Sequence, residues 1–131
     1  NFIKTMLRLS ETRDALNIVG DQIGGPTPAR DIAMACLQIA AQLIQDPSKS
    51  GTYHFSGAPD MSWADFAKAI FDQSGKSVAV THIPTTDYPT PAQRPLNSRM
   101  DCKTTEQAFG IERPDWVAGL KTILEDLEAS T

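Results

Sequence analysis

The side chains of this sequence with the most evident chemistry are gathered in one proline-rich run at 83–102, IPTTDYPTPAQRPLNSRMDC, which carries Arg94, Asn97, Ser98 and Arg99. A guanidinium offers a planar fork of donors that matches phosphate oxygens, while an amide and a hydroxyl add neutral donors suited to sugar hydroxyls or a base edge. Lys4 and Arg8, on an amphipathic N-terminal segment, extend the cationic set. Together these residue types suit the binding of a phosphorylated sugar. Two arginines beside a proline loop also suit a plain solvated crossing, and residue types alone leave both readings open. Catalytic patterns are missing: the sequence holds no GxGxxG, Walker A, HExxH or GxSxG, and neither Tyr53 nor Tyr88 has a lysine four residues on. No catalytic, dinucleotide-binding or metal-binding residue is therefore assigned in the 131 residues. His54 and His82 sit in strand-like stretches without a carboxylate or cysteine spacing beside them, which argues against catalysis or metal binding at either.

Pro84, Pro89, Pro91 and Pro95 each fix their own φ and push the preceding residue toward extended geometry, so the run cannot be a helix or a central strand. It reads as a rigid extended loop, with Ile83, Tyr88, Leu96 and Met100 as the expected anchors to a core. The elements that must hold it are legible in order. Residues 2 to about 12 form an amphipathic helix with Phe2, Met6 and Leu9 on one face. A short strand follows at 16–19. Thr27 as N-cap and Pro28 at the first helical position open a second helix, whose stripe of Ile32, Ala35, Cys36, Ile39, Ala40 and Leu43 places Cys36 in the core. Residues 52–56 alternate like a strand, with Tyr53 and Phe55 on one face. Ser62 and Asp65 form a capping box, flanked by Met61 and Phe66 as a hydrophobic staple. The helix they start runs to Gly75, and Trp63 reads as one of its packing residues. A strand at 78–83 delivers the chain into the proline loop. Beyond the loop, Asp101 caps a short helix that Gly110 ends, and Pro114 and Asp115 open a last helix striped by Trp116, Val117, Leu120, Ile123, Leu124 and Leu127, fraying after Leu127. About five helices with short strands make a mixed α+β domain, and no internal repeat or second-domain boundary is visible.

A chain of 131 residues is one domain in size, able to bury a core without disulfides or a structural metal. A net charge of −4 argues against nucleic acid or an anionic membrane as partner, because both demand a basic surface. The longest apolar runs are too short for a membrane span, so a soluble protein is expected. Cys36 and Cys102 show no paired or metal-ligand spacing, which fits a reducing, cytoplasmic setting. The first residue is Asn1 and the helical pattern begins at once, which reads as a chain starting partway through a larger protein.

Particular runs carry a resemblance. DYPTPAQRPLNSRMD at 87–101, GDQIGGPTPARDIA at 20–33, GTYHFSG at 51–57, SWADFA at 62–67 and RPDW at 113–116 resemble the C-terminal part of the dTDP-4-dehydrorhamnose reductases, which are extended short-chain dehydrogenase/reductases of α/β fold. The resemblance covers essentially the whole chain, and the RPxNSR loop is its most specific feature. Met100 stands where the family more often has leucine, a tolerable core exchange. The resemblance implies that residues 1–131 form a single substrate-binding domain and that a Rossmann half, carrying the glycine-rich loop and the YxxxK pair, precedes Asn1. It implies reduction of the 4-keto group of dTDP-4-dehydro-L-rhamnose by NADPH or NADH, with the upstream tyrosine as proton donor. By the same resemblance, Asn1 and Lys4 lie near the nucleotide and diphosphate, and Arg94, Asn97 and Arg99 belong to the substrate loop. Gln22 and Thr27 fall in a run that approaches the sugar pocket. Some members bind magnesium at a dimer contact through glutamates, which would make the protein a homodimer; that site is not placed on any residue here. Two other readings stay open: a non-catalytic binding or regulatory subunit of the same fold, and a related reductase or epimerase acting on another nucleotide sugar.

Overall fold

The structure, a computed structural model, describes residues 1–129. The helices are α1 (Phe2–Ser10), α2 (Ala29–Gln45), α3 (Trp63–Gln73), α4 (Lys103–Phe109) and α5 (Trp116–Ala129), and the strands are β1 (Ala15–Val19), β2 (Ile23–Gly24), β3 (Met61–Ser62) and β4 (Ala79–Ile83). This is the expected mixed α+β architecture of helices and short strands. β1 and β4 pair in parallel, from Ala15 opposite Ala79 to Val19 opposite Ile83. β2 and β3 make a two-residue antiparallel pair.

α3 is the hub, and local sequence starts and stops it. The Ser62 hydroxyl accepts the Asp65 N–H at 3.0 Å and donates back to the Asp65 carboxylate. Gly75 ends the helix in the left-handed region, at a φ of 65° that a Cβ would oppose. Ala64, Ala67, Ile70 and Phe71 are buried on its inner face. They share one apolar cluster with Met6 of α1, Ile18 of β1, and Trp116, Leu120 and Leu124 of α5. A second cluster joins Ala35 of α2 to Phe109 and Ile111, with Tyr53 and Phe55 packed against it.

Several expectations change. Residues 52–56 are extended but unpaired, because among the described residues no strand lies alongside to complete a ladder. Tyr53 and Phe55 keep their common face, and the Tyr53 ring meets Phe109 edge-on at 4.7 Å. α2 begins at Ala29 with Pro28 in the cap position and no side-chain cap. The Thr27 hydroxyl is used across the fold instead, donating to the Gly25 carbonyl at 2.9 Å and accepting the Gly57 N–H at 3.0 Å. Cys36 is exposed, not core. The buried edge of α2 runs along Ala35, Ile39 and Leu43, and Cys36 is turned about 100° from Ala35. The other side of α2 shows water an apolar face, with Leu37 65% and Ile44 82% exposed.

Asp101 serves α4 as expected, accepting the Lys103 N–H at 3.0 Å, although Cys102 holds the cap position. Gly110 closes that helix at a φ of 68°. Asp115 accepts the Val117 N–H at 2.9 Å at the start of α5. Val117 itself is exposed, off the buried stripe. α5 stays helical through Ala129, and the rest of the tail expected to fray, 130–131, lies outside the described residues. No helix among the described residues is long and apolar enough to cross a membrane.

Candidate functional site

Where α1 and α3 begin, β2 and β3 pair, and α5 passes beneath, the chain encloses a cavity of about 460 Å³. Its walls are mainly apolar: Phe2 and Ile3 from α1, Ile23 from β2, Met61 from β3, Trp63 and Phe66 from α3, and Trp116, Leu120 and Ile123 from α5. Four of these rings form a continuous aromatic series. Trp63 lies 4.9 Å from Phe2, Phe2 stacks on Phe66 at 5.6 Å, and Phe66 meets Trp116 edge-on at 5.2 Å. Asn1, Gln22, Thr27, Ser62 and Ser98 supply the polar part of the lining. Two of these cap helices, since Asn1 Oδ1 accepts the Lys4 N–H at 3.0 Å and Ser62 holds the start of α3.

One wall depends on a close backbone crossing. A Cβ on Gly57 would strike the carbonyl oxygen of Pro26, and one on Gly25 would strike the carbonyl oxygen of Gly57, so both positions require glycine. Arg113 clamps this crossing. Its Nε donates to the Ser56 carbonyl at 3.2 Å, and its terminal nitrogens reach the Gly57 carbonyl and the Asp60 carboxylate. The hydrogen bond to Asp60 raises the Arg113 pKa above its ordinary value, partly opposed by desolvation.

The proline loop borders the cavity, fastened by hydrogen bonds and not by apolar anchors. Tyr88, Leu96 and Met100 are 58%, 54% and 48% exposed, so they do not serve as the core anchors their types predict; only Ile83, on β4, is half-buried. The Gly20 N–H donates to the Ile83 carbonyl at 2.9 Å at the loop's entry. Just beyond, the Asp21 carboxylate accepts the Thr85 N–H at 3.0 Å and the Thr85 hydroxyl at 2.6 Å. These bonds, the hydroxyl's first, hold the Asp21 carboxyl below the usual carboxylate range. Gln22 Nε2 joins them, donating to Thr85 Oγ1 at 3.1 Å. Farther along, the Ile23 N–H donates to the Leu96 carbonyl and the Ser98 N–H to the Ile23 carbonyl, each at 2.8 Å.

That bridge decides which loop side chains face the cavity. In an extended chain successive side chains alternate sides. Ser98 lines the cavity, whereas Asn97 and Arg99 do not. Asn97 Oδ1 instead accepts both the N–H and the Nε–H of Arg99, at 3.1 and 2.9 Å. Arg94 and Lys4 are exposed and outside the lining, so of the five predicted substrate contacts only Asn1 faces the cavity. Gln22 and Thr27, placed near the pocket by resemblance, both line it. Trp63, read from sequence as packing, does pack on Phe2 but also stands 46% exposed in the cavity wall. The signal for Trp63 was its place beside the Ser62 cap, which sets it at a helix start instead of on a buried stripe. His82 does have a carboxylate neighbour, brought by the fold: its Nε2 lies 3.4 Å from Asp65 Oδ1, outside the cavity.

Among the described residues no group of three or more histidine, cysteine or acidic side chains could hold a metal ion. The sequence has no glycine-rich phosphate loop either, so its residues do not match a dinucleotide-binding motif.

An apolar cavity with amide and hydroxyl groups at its edge, set in a mixed α/β domain, has the make-up of a small-molecule binding site. Residues 1–129 match the family of the RmlD substrate binding domain, and the chain belongs to that family. It is 49% identical to a dTDP-4-dehydrorhamnose reductase of Aggregatibacter actinomycetemcomitans, over 94% of this chain and 44% of that protein. A crystal structure of a dTDP-4-dehydrorhamnose reductase from Clostridium acetobutylicum superposes with a TM-score of 0.86 at 36% identity, covering 98% of this chain and 44% of the other. A Bacillus anthracis dTDP-4-dehydrorhamnose reductase, solved in complex with NADP, superposes with a TM-score of 0.83 at 33% identity, covering 96% and 43%. The chain thus spans less than half the length of these relatives.

Proposed function

We propose that this domain binds the nucleotide sugar of a dTDP-4-dehydrorhamnose reductase, and that the whole protein reduces dTDP-4-dehydro-L-rhamnose to dTDP-L-rhamnose for surface polysaccharide. The observation that carries the reading is the cavity itself: apolar walls for the flat and hydrophobic parts of the ligand, amide and hydroxyl groups of Asn1, Gln22 and Ser98 at its edge, and a bordering loop that also carries Arg94 and Arg99. Family membership supports the choice of ligand. In this reading Arg94 and Lys4 receive the diphosphate from outside the cavity. The Asn97–Arg99 pair holds the loop's shape and offers the remaining guanidinium donors. NAD(P)H supplies the hydride and is bound by a Rossmann domain elsewhere in the protein, whose tyrosine donates the proton. In the same reading the protein works in the cytoplasm and self-associates as a homodimer with a magnesium contact, to which no residue of this chain is assigned.

The test is calorimetric titration of the full-length protein with dTDP-, UDP- and GDP-sugars, together with NADPH oxidation in the presence of dTDP-4-dehydro-L-rhamnose. Tight binding of dTDP-sugars and turnover are expected. Binding without turnover would favour a regulatory subunit, and preference for another nucleotide sugar would favour a different reductase or epimerase.

A further inference from the structure

We propose that Gln22 sets the polarity of one cavity wall: Asp21, acting through the Thr85 hydroxyl, holds the Gln22 amide so that its carbonyl oxygen meets the ligand and selects a hydroxyl over any group that cannot donate. This rests on the nucleotide-sugar reading above and deepens it, since a hydroxyl of the sugar becomes the recognised group. The direction of every hydrogen bond in the relay follows from its Asp21 end. An ionised carboxylate can only accept, and Asp21 takes both the N–H and the hydroxyl of Thr85, at 3.0 and 2.6 Å. Those bonds hold the Asp21 carboxyl below the usual carboxylate range, so it is ionised at neutral pH. With its one hydroxyl proton engaged there, Thr85 Oγ1 can only accept from Gln22. The amide atom 3.1 Å away is therefore the donor Nε2, and the amide is fixed in one of its two orientations.

Nε2 is thus turned to Thr85, which lies outside the cavity lining, while Gln22 itself lines the cavity. Its Oε1 accepts no hydrogen bond from the described residues. The other polar side chains of the lining are committed differently. Asn1 Oδ1 accepts the Lys4 N–H and leaves only its amide donors over, the Thr27 hydroxyl both donates to Gly25 and accepts from Gly57, and Ser62 exchanges hydrogen bonds with Asp65. The Ser98 hydroxyl can turn to donate or to accept. Among these side chains only the Gln22 amide offers an acceptor that cannot turn, because rotating it would set Oε1 against the lone pairs of Thr85 Oγ1. A fixed acceptor discriminates by chemistry. A sugar hydroxyl donates to it, whereas fluorine of similar size does not and leaves the oxygen unpaired.

The experiment titrates dTDP-L-rhamnose, and analogues with each sugar hydroxyl in turn replaced by fluorine, into the full-length protein by calorimetry. Wild type, Gln22→Met, Thr85→Val and Thr85→Ser are compared. In wild type one fluoro analogue is expected to bind about five- to fiftyfold more weakly than dTDP-L-rhamnose. Gln22→Met and Thr85→Val should shrink that penalty to within twofold, the first by removing the amide and the second by releasing it to turn. Thr85→Ser keeps the hydroxyl and should retain the wild-type penalty, a pattern that loss of stability alone does not produce. Fluoro analogues that all bind wild type within twofold of dTDP-L-rhamnose overturn the proposal, as does a penalty that survives in Gln22→Met or in Thr85→Val. Each of these results leaves the nucleotide-sugar reading standing. Absence of dTDP-L-rhamnose binding to wild type overturns both.

Discussion

At the scale of single residues, neighbours in the RPxNSR run divide into different tasks through backbone alternation: Ser98 faces the cavity, while Asn97 and Arg99 hold each other outside it. Arg94 is the sharpest test of the diphosphate assignment. Losing a charge-assisted hydrogen bond costs on the order of 1.5–3 kcal/mol, or roughly ten- to a hundredfold in affinity. Arg94→Ala in the full-length protein should therefore raise the dTDP-sugar Kd by that factor and leave NADPH binding unchanged. Arg94→Lys should lose nearly as much, since lysine keeps the charge and loses the fork. A Kd within twofold of wild type would make Arg94 a solvated loop residue. Arg113 has the opposite character, because its guanidinium is engaged inside the fold by Ser56, Gly57 and Asp60. Arg113→Met should cost about 2–3 kcal/mol in chemical denaturation by leaving those acceptors without a partner. An unchanged denaturation midpoint would mean the clamp contributes nothing.

Caps and latches set the element scale. Ser62 is 2% exposed and both accepts from and donates to Asp65, so Ser62→Ala should destabilise by about 1 kcal/mol, visible as a lowered melting temperature. The proline loop is latched by a carboxylate, Asp21. The Asp21 carboxyl is held below its ordinary range by Thr85, which means the folded form favours the ionised state. A group depressed in this way stabilises above its unfolded pKa, near about 4, and the contribution fades as pH falls through the lower folded value. Below about pH 4, the protection of Thr85 and the residues after it, taken as exchange relative to the intrinsic rate at each pH, should fall in wild type. Asp21→Asn should be less protected already at neutral pH and lose most of that acid dependence. Equal protection in the two proteins at pH 3 and again at pH 7 would remove Asp21 as the latch.

For the whole molecule, the proposed function assigns the cavity and the chemistry to different parts of a larger protein. Assayed alone, the 131-residue chain is expected neither to bind NADPH nor to oxidise it with the sugar substrate, since it lacks a glycine-rich loop and a YxxxK pair. Turnover by the pure fragment, followed at the NADPH absorbance, would refute this.

The parts of the fold legible in the sequence are those governed by contacts a few residues apart. The Ser62 cap, the Gly75 and Gly110 stops and the stripe of α5 follow from local hydrogen bonds and side-chain period, and the extended runs of β1 and β4 from residue type, although their pairing joins segments far apart in sequence. Family kinship was legible in the same way, from runs such as RPLNSR read in order. Tertiary structure decided what depends on distant chain segments meeting. Ile23 pairing with the loop selected Ser98 over Asn97 and Arg99, and the Gly25–Gly57 crossing diverted Thr27 from its cap. Packing on Ala35, Ile39 and Leu43 left Cys36 in water, and the meeting of α1 with α3 turned Trp63 from a core residue into a cavity wall. Periodicity reports that a side chain has an apolar side, but the identity of what lies against it is set only when segments tens of residues apart come into contact.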